Sequence, residues 1–365
     1  MQHLKTTADS ASKNKPVFPL HPIGAVAAMI AQRAEKGDKP FIYIAEAGRR
    51  RQDIYELAKL LAGPDAVAEF AAPDGFPGDG LPVSAAIAGN RMATLRWLLD
   101  PKKRPSVIIT TAAALIRKVP PRSIWADCHL EIRVGEKLDT DRLATRLRRL
   151  GYWQDDRVDE AGEFAIRGKV VEIFPAAAPR PCRIEHEDGI VTFIRSYDAA
   201  SQRSVAETEC LIVDPASERI IADDEEKFSA DDQGHGEGDR ATSRTPEFLC
   251  RHYETCETLF DYLPEAQVVV ERGADLRSEE IFMTLKSLDG DIPAGHAVLA
   301  DHLDRADWDG IVSDRLAALV DDVEADHSVP VFALGASPTR PSRTLPPHGS
   351  TMAVGSSSPA VMHGP

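Results

Sequence analysis

A chain of 365 residues, 43% hydrophobic and 28% charged, is long enough for two or three domains with cores of their own. Its net charge of −15 argues against a general nucleic-acid binder, because affinity for phosphate backbones comes from clustered cations. Five scattered cysteines (Cys128, Cys182, Cys210, Cys250, Cys256) form no C-x-x-C pair and no zinc spacing, so reduced thiols and no metal site are expected.

No apolar run approaches the ~18 residues of a membrane span, and residues 1–16 hold no signal-peptide hydrophobic region. A cytoplasmic protein without membrane contact is expected. Residues 1–15 read as a disordered lead. A short amphipathic helix follows over 25–37, a buried strand over 41–45, and a helix over 51–61 by the spacing of Ile54, Leu57, Leu60 and Leu61. Residues 67–70 give a strand, the Pro/Gly-rich 73–82 a loop, 91–99 a helix and 106–111 another buried strand. The helix begun at 112–117 is stopped by Pro120-Pro121. Such strand–helix alternation indicates a parallel α/β sheet.

Residues 129–134 lead to Leu138, and 139–150 form an arginine-rich amphipathic helix. Two hairpins come next. In the first, Phe164 and Ile166 alternate with Ala165 and Arg167, and Gly168-Lys169 turns into the apolar run 170–174. In the second, 183–187 turns through Asp188-Gly189 into 190–197; Asp-Gly is a favoured two-residue turn because it tolerates positive φ. Consecutive hairpins make an antiparallel sheet with one buried and one wet face, and period two puts Arg167 on the wet one. A strand over 210–213 closes this part.

Residues 222–245 are acidic and Gly/Ser-rich, a solvated linker or else a lure for a basic partner. Beyond them α/β character returns: an apolar stretch over 258–263, a strand over 267–271, helices over 278–288 and 314–323, and a short strand over 329–334. After Gly335 the composition offers too little apolar area to offset ordering entropy, so the tail is expected to be disordered.

Gly-Glu-Phe-Ala-Ile-Arg-Gly (162–168), Ile173-Phe174-Pro175, Arg183-Ile184-Glu185, Ile194-Arg195, Asp198 and Ser201-Gln202-Arg203-Ser204 together resemble one domain of the bacterial transcription-repair coupling factor. The same domain occurs in the excision-repair protein UvrB. Phe76-Pro77, Arg91-Met92-Ala93-Thr94-Leu95, Val107-Ile108-Ile109-Thr110-Thr111 and Val119-Pro120-Pro121-Arg122 resemble the preceding domain of that family. Thr258-Leu259-Phe260-Asp261-Tyr262-Leu263-Pro264 resembles the following one, so about 16–335 falls inside the resemblance. It implies a degenerate P-loop-type α/β domain over 16–126 and an inserted β-rich domain over 127–216 that docks UvrA. An acidic flexible linker over 217–245 and a second α/β segment over 246–335 would follow, then the tail over 336–365.

Arg167 and Arg183 match arginines that meet UvrA in this family, and a planar guanidinium suits a fixed bidentate contact to a carboxylate. Both are expected to project from the sheet. Glu187 stands where the family has the second of two aromatics, the one that supplies an apolar docking contact; His186 stands at the first and reads as an exposed strand histidine. No Gly-x4-Gly-Lys-Ser/Thr motif occurs; its nearest imitation, 162–170, lies across a hairpin where no helix N-terminus can meet a phosphate. The first-strand loop, Ala45-Glu46-Ala47-Gly48-Arg49, puts a carboxylate where phosphates would sit. No catalytic residue, no cofactor and no enzyme activity are therefore expected. Two readings remain: a non-catalytic module that recruits UvrA, or the non-motor part of an ATP-dependent translocase with its motor, or an RNA polymerase complex, on another chain.

Overall fold

The computed structural model describes residues 21–36, 39–74, 83–128, 130–221, 249–291 and 295–317. The chain opens with α1 (Ile23–Lys36), β1 (Phe41–Ile44), α2 (Arg49–Ala62), β2 (Val67–Phe70), α3 (Ala85–Leu99), β3 (Val107–Thr110) and α4 (Ala112–Ile116). A 3-10 turn (Arg122–Ile124) and α5 (Trp125–Cys128) lead into β4 (Leu130–Arg133), α6 (Thr140–Arg149) and β5 (Trp153–Gln154). The hairpin strands are β6 (Glu163–Arg167), β7 (Val170–Ile173), β8 (Cys182–Glu187) and β9 (Ile190–Tyr197), followed by β10 (Ser204–Glu207) and β11 (Cys210–Val213). Then come α7 (Leu249–His252), α8 (Leu259–Tyr262), β12 (Gln267–Val270), α9 (Ala274–Asp291), α10 (Gly295–Ala300) and α11 (Arg305–Arg315).

Four strands form a parallel sheet in the order β12-β1-β3-β2. Their apolar character follows from cover on both faces. Period two divides the side chains: Ile42, Ile44, Ile108, Val268 and Val270 pack towards α3, α8 and α11. Phe41, Tyr43, Val107, Ile109 and Val269 pack towards α1 and α2. The segment after the insertion is thus no separate layer, since β12 pairs with β1 along its whole length. Thr258 and Asp261 start α8 with a reciprocal capping box: Asp261 N–H donates to Thr258 Oγ1 and Thr258 N–H donates to Asp261 Oδ2.

The inserted part is an antiparallel sheet in the order β10-β9-β8-β7-β6-β5, with β5 added in parallel. Both hairpins form as their turn residues dictate: Gly168 takes φ +59°, and Asp188 and Gly189 take +50° and +74°. β5 and β10 widen the sheet beyond the two hairpins. The strand over 210–213 closes the insertion by pairing antiparallel with β4, which brings its entry and exit together. The core beneath holds Phe164, Val171, Ile173, Ile184, Val191 and Ile194 against Leu143 and Leu147 of α6, whose start is capped by Asp139.

α3 ties the two parts together. Arg91 pairs with Glu218, Arg96 Nη2 donates to Asp214 Oδ2 at 3.0 Å, and Tyr152 Oη donates to the Asp214 carbonyl at 2.7 Å. Gly89 lies so close to the insertion that an added Cβ would sit 2.3 Å from Ala176 Cβ.

Several expectations shift. α3 starts at Ala85 rather than 91, because its first turns are small residues packed on the insertion, which leave no amphipathic stripe in the sequence. In α2 only Ile54 and Ala58 are buried, and Leu60 is 78% exposed, so the leucine spacing marked the helix but not its buried face. Of the helix read over 314–323, Asp314 and Arg315 form the end of α11, Leu316 and Ala317 run alongside β12 with Ala317 N–H donating to the Val268 carbonyl at 2.8 Å, and 318–323 lie outside the described residues. Residues 217–221, counted into the linker, are held in place: Glu218 by Arg91, and the Ile220 N–H by Tyr253 Oη at 2.9 Å. The lead over 1–15, the acidic stretch over 222–245, the strand over 329–334 and the tail over 336–365 lie outside the described residues. All five cysteines are free thiols, and among the described residues no cluster of metal-binding side chains occurs. No helix among them is long and apolar enough to cross a membrane.

Candidate docking surface

With Phe164 and Ile166 turned into the core, register puts Ala165, Arg167, Glu172, Arg183, Glu185, Phe193, Arg195 and Glu207 on the opposite face. Glu172 faces Arg183 directly across the β7–β8 ladder. One carboxylate gathers both arginines predicted from sequence. Arg167 Nη1 donates to Glu172 Oε2 at 2.7 Å, while Arg183 Nε and Nη2 donate to Oε1 at 2.9 and 2.6 Å. Glu172 is buried beneath them.

The two arginines are not equivalent. The Arg167 side chain is 50% exposed; that of Arg183 is 30% exposed. Arg183 lies over the Tyr197 ring at 4.8 Å, and its Nη2 donates to Gln202 Oε1 at 3.4 Å. The turn that carries Gln202 is held by Asp198, whose carboxylate accepts from Ser201 N–H and Oγ–H. Burial, then the nearby Glu172 charge, pushes the Tyr197 phenol up to about 12. Both arginines were expected to project; Arg167 reaches out, whereas Arg183 is largely committed to its own sheet.

A second cluster continues across the face. Arg195 Nη1 donates to Glu185 Oε1 at 3.0 Å and its Nε to Glu207 Oε1 at 2.9 Å, with the guanidinium 4.5 Å from the Phe193 ring centre. Glu187 stands at the end of β8 in an exposed pair with Lys169 at 3.0 Å. His186 is half-buried rather than exposed, because a bulge between Glu185 and His186 shifts the register there. Sequence reading missed Glu172, Tyr197, Phe193 and Arg195 as members of this face. The visible signal was Glu172 itself, a lone charge inside the apolar run Val170–Phe174.

At the carboxyl end of β1 the loop Ala45–Gly48 enters α2. Its anion is not Glu46, which is exposed, but Glu271, whose carboxylate is fully buried just beyond β12. Glu271 Oε2 accepts the Glu46 N–H at 3.1 Å, and Oε1 accepts Arg50 Nε at 3.0 Å and Nη2 at 2.6 Å. The Tyr43 phenol is raised far above its ordinary range, first by burial and then by Glu271. Beside this cluster a cavity of about 730 Å³ opens at the ends of the strands, with an Arg51–Glu69 ion pair in its wall.

Residues 130–218 match the family model of the UvrB interaction domain, a span that coincides with the insertion from β4 to just past β11. The chain is similar to the transcription-repair-coupling factor of Bacillus subtilis (strain 168), 30% identical over 192 residues, covering 45% of this chain and 16% of the relative. That of Escherichia coli (strain K12) is 30% identical over 198 residues, covering 53% and 17%. That of Myxococcus xanthus is 30% identical over 158 residues, covering 43% and 13%. The chain thus spans about one sixth of the length of the Bacillus and Escherichia relatives.

Proposed function

We propose, for a chain that carries a UvrB-homology module like that of the transcription-repair coupling factors, a non-catalytic role: it docks UvrA through the wet face of its inserted sheet. The observation that carries this reading is the Arg167–Glu172–Arg183 cluster, which lies on that face within the matched domain. Glu172 fixes both guanidinium groups before any partner arrives, so little side-chain entropy is left to lose on binding. Arg167 keeps half its surface free to pair with a carboxylate on the partner.

The absence of catalysis is part of the proposal. It is supported by Glu271, which holds the loop amide and the Arg50 guanidinium that an incoming phosphate would otherwise attract. Hydrolysis of ATP by the purified chain would overturn that half, and saturable ATP binding in a filter assay would overturn the closed loop. We place the protein in the bacterial cytosol, with no cofactor and no DNA contact of its own.

The test is a calorimetric titration of the purified chain with UvrA. Arg167→Glu is expected to weaken binding by about 2 kcal/mol or more, roughly thirtyfold, a loss larger than the modest destabilisation from placing a carboxylate beside Glu172. Equal affinity of wild type and variant would sink the assignment. A second reading is favoured by the length of the relatives: the module works as the non-motor part of a translocase or of an RNA polymerase complex. Co-purification from cells separates the two, UvrA alone supporting the first and a motor chain the second.

A further inference from the structure

We infer that Phe193 is the apolar anchor of this docking face. The partner would meet it with an apolar side chain or shallow pocket, beside a carboxylate that reaches Arg167. The inference rests on the docking reading above and adds to it the residue that supplies apolar contact.

Phe193 is 46% exposed on β9, an inner strand of the sheet with β8 on one side and β10 on the other. Among the described residues it belongs to no hydrophobic core cluster, so its exposed ring is spare apolar surface. Yet it is held firmly. The Arg195 guanidinium covers it at 4.5 Å, and that cation is itself pinned between Glu185 and Glu207. An aromatic ring stiffened by a fixed arginine and left open on its remaining flank has the composition of an interface hot spot.

Position and charge select the occupant. Phe193 lies directly across from Glu185, which is two residues along β8 from Arg183, so anchor and arginine cluster share one continuous surface. On that surface Arg167, Arg183 and Arg195 are balanced by Glu172, Glu185 and Glu207, each arginine hydrogen-bonded to at least one of these carboxylates. A neutral, internally paired face has no pull on a polyanion, whereas it suits a protein surface that supplies apolar contact and short-range pairing.

The experiment titrates UvrA into the full chain and its Phe193→Ala, Phe193→Leu and Arg167→Glu variants, with thermal unfolding of each chain measured alongside. Phe193→Ala is expected to weaken binding at least about tenfold at an unchanged unfolding midpoint, with Phe193→Leu in between. Wild-type affinity for Phe193→Ala beside a loss for Arg167→Glu would overturn the anchor and leave the docking reading standing. No binding by the wild-type chain would remove both. A lowered unfolding midpoint in Phe193→Ala would make the ring a structural element and overturn the anchor. Self-association of the chain that Phe193→Ala abolishes would assign the face to a second copy instead.

Discussion

Two buried carboxylates in this molecule are each bonded by arginine, and they end in opposite situations. Glu271 is fully buried at the end of the parallel sheet, where a loop amide and Arg50 use up its oxygens. Glu172 is buried in the inserted sheet, but one of its two arginines, Arg167, stands half in solvent. The first arrangement turns its charges inward and closes a site. The second uses the buried carboxylate as a foundation that aims cations outward. The lesson is that an ion pair by itself does not mark function; on the docking reading, the exposure of its outer member is what distinguishes the two.

The largest expected effect probes the closed cluster. Glu271→Ala leaves Arg50 and the Glu46 amide without their acceptor, and breaking a buried pair of this kind costs about 3–4 kcal/mol. Urea unfolding of the variant measures it; a loss under about 1 kcal/mol would show that water replaces the carboxylate and that the site is less closed than its geometry implies. At the open cluster, Arg183→Ala is expected to act twice. It removes two hydrogen bonds to Glu172, for about 1 kcal/mol of stability once its partial exposure is allowed for, and it weakens UvrA binding. Arg167→Glu loses a single, half-exposed hydrogen bond to Glu172 and brings a second carboxylate beside it, so it too lowers stability modestly, with the larger effect on binding. Identical profiles for the two variants would erase the distinction between foundation and outward-facing cation. Gly89→Ala tests the joint between the regions. The new Cβ meets Ala176 at 2.3 Å and its carbonyl carbon at 2.6 Å, an overpacking that exceeds the helix-propensity gain and leaves a net loss of about 1–2 kcal/mol.

How far the sequence disclosed all this depends on which physical signal each part carries. The strands of the parallel sheet are mostly apolar runs rich in β-branched and aromatic residues, and the hairpins announce themselves by alternation and by Asp188-Gly189, so the frame of both sheets was legible. α11 was not, because only Trp308 and Val312 are fully buried, Ile311 is partly covered, and most of the other positions are charged or small. The face of the inserted sheet was half legible. Period two assigned Arg167 to the wet side, but nothing in the local sequence says that Glu172 and Arg183 face each other, since that register is set by the two turns together. Glu271 was beyond reach for a similar reason: its partners Glu46 and Arg50 lie more than two hundred residues away and meet it only because β12 pairs with β1.

The smallest expected effect concerns the edge of the open cluster. Glu187 and Lys169 form a pair exposed on both sides, 67% and 68%, and such pairs contribute little to stability. Glu187→Phe should therefore leave unfolding within about 0.5 kcal/mol of wild type. On the docking reading it adds apolar area at the end of β8, where the resembled family carries an aromatic, and affinity for UvrA should rise severalfold in the same titration. An unchanged affinity would place the end of β8 outside the contact. The outward-facing surface would then contract to Arg167 and Phe193, and the contrast with the closed cluster would rest on those two side chains.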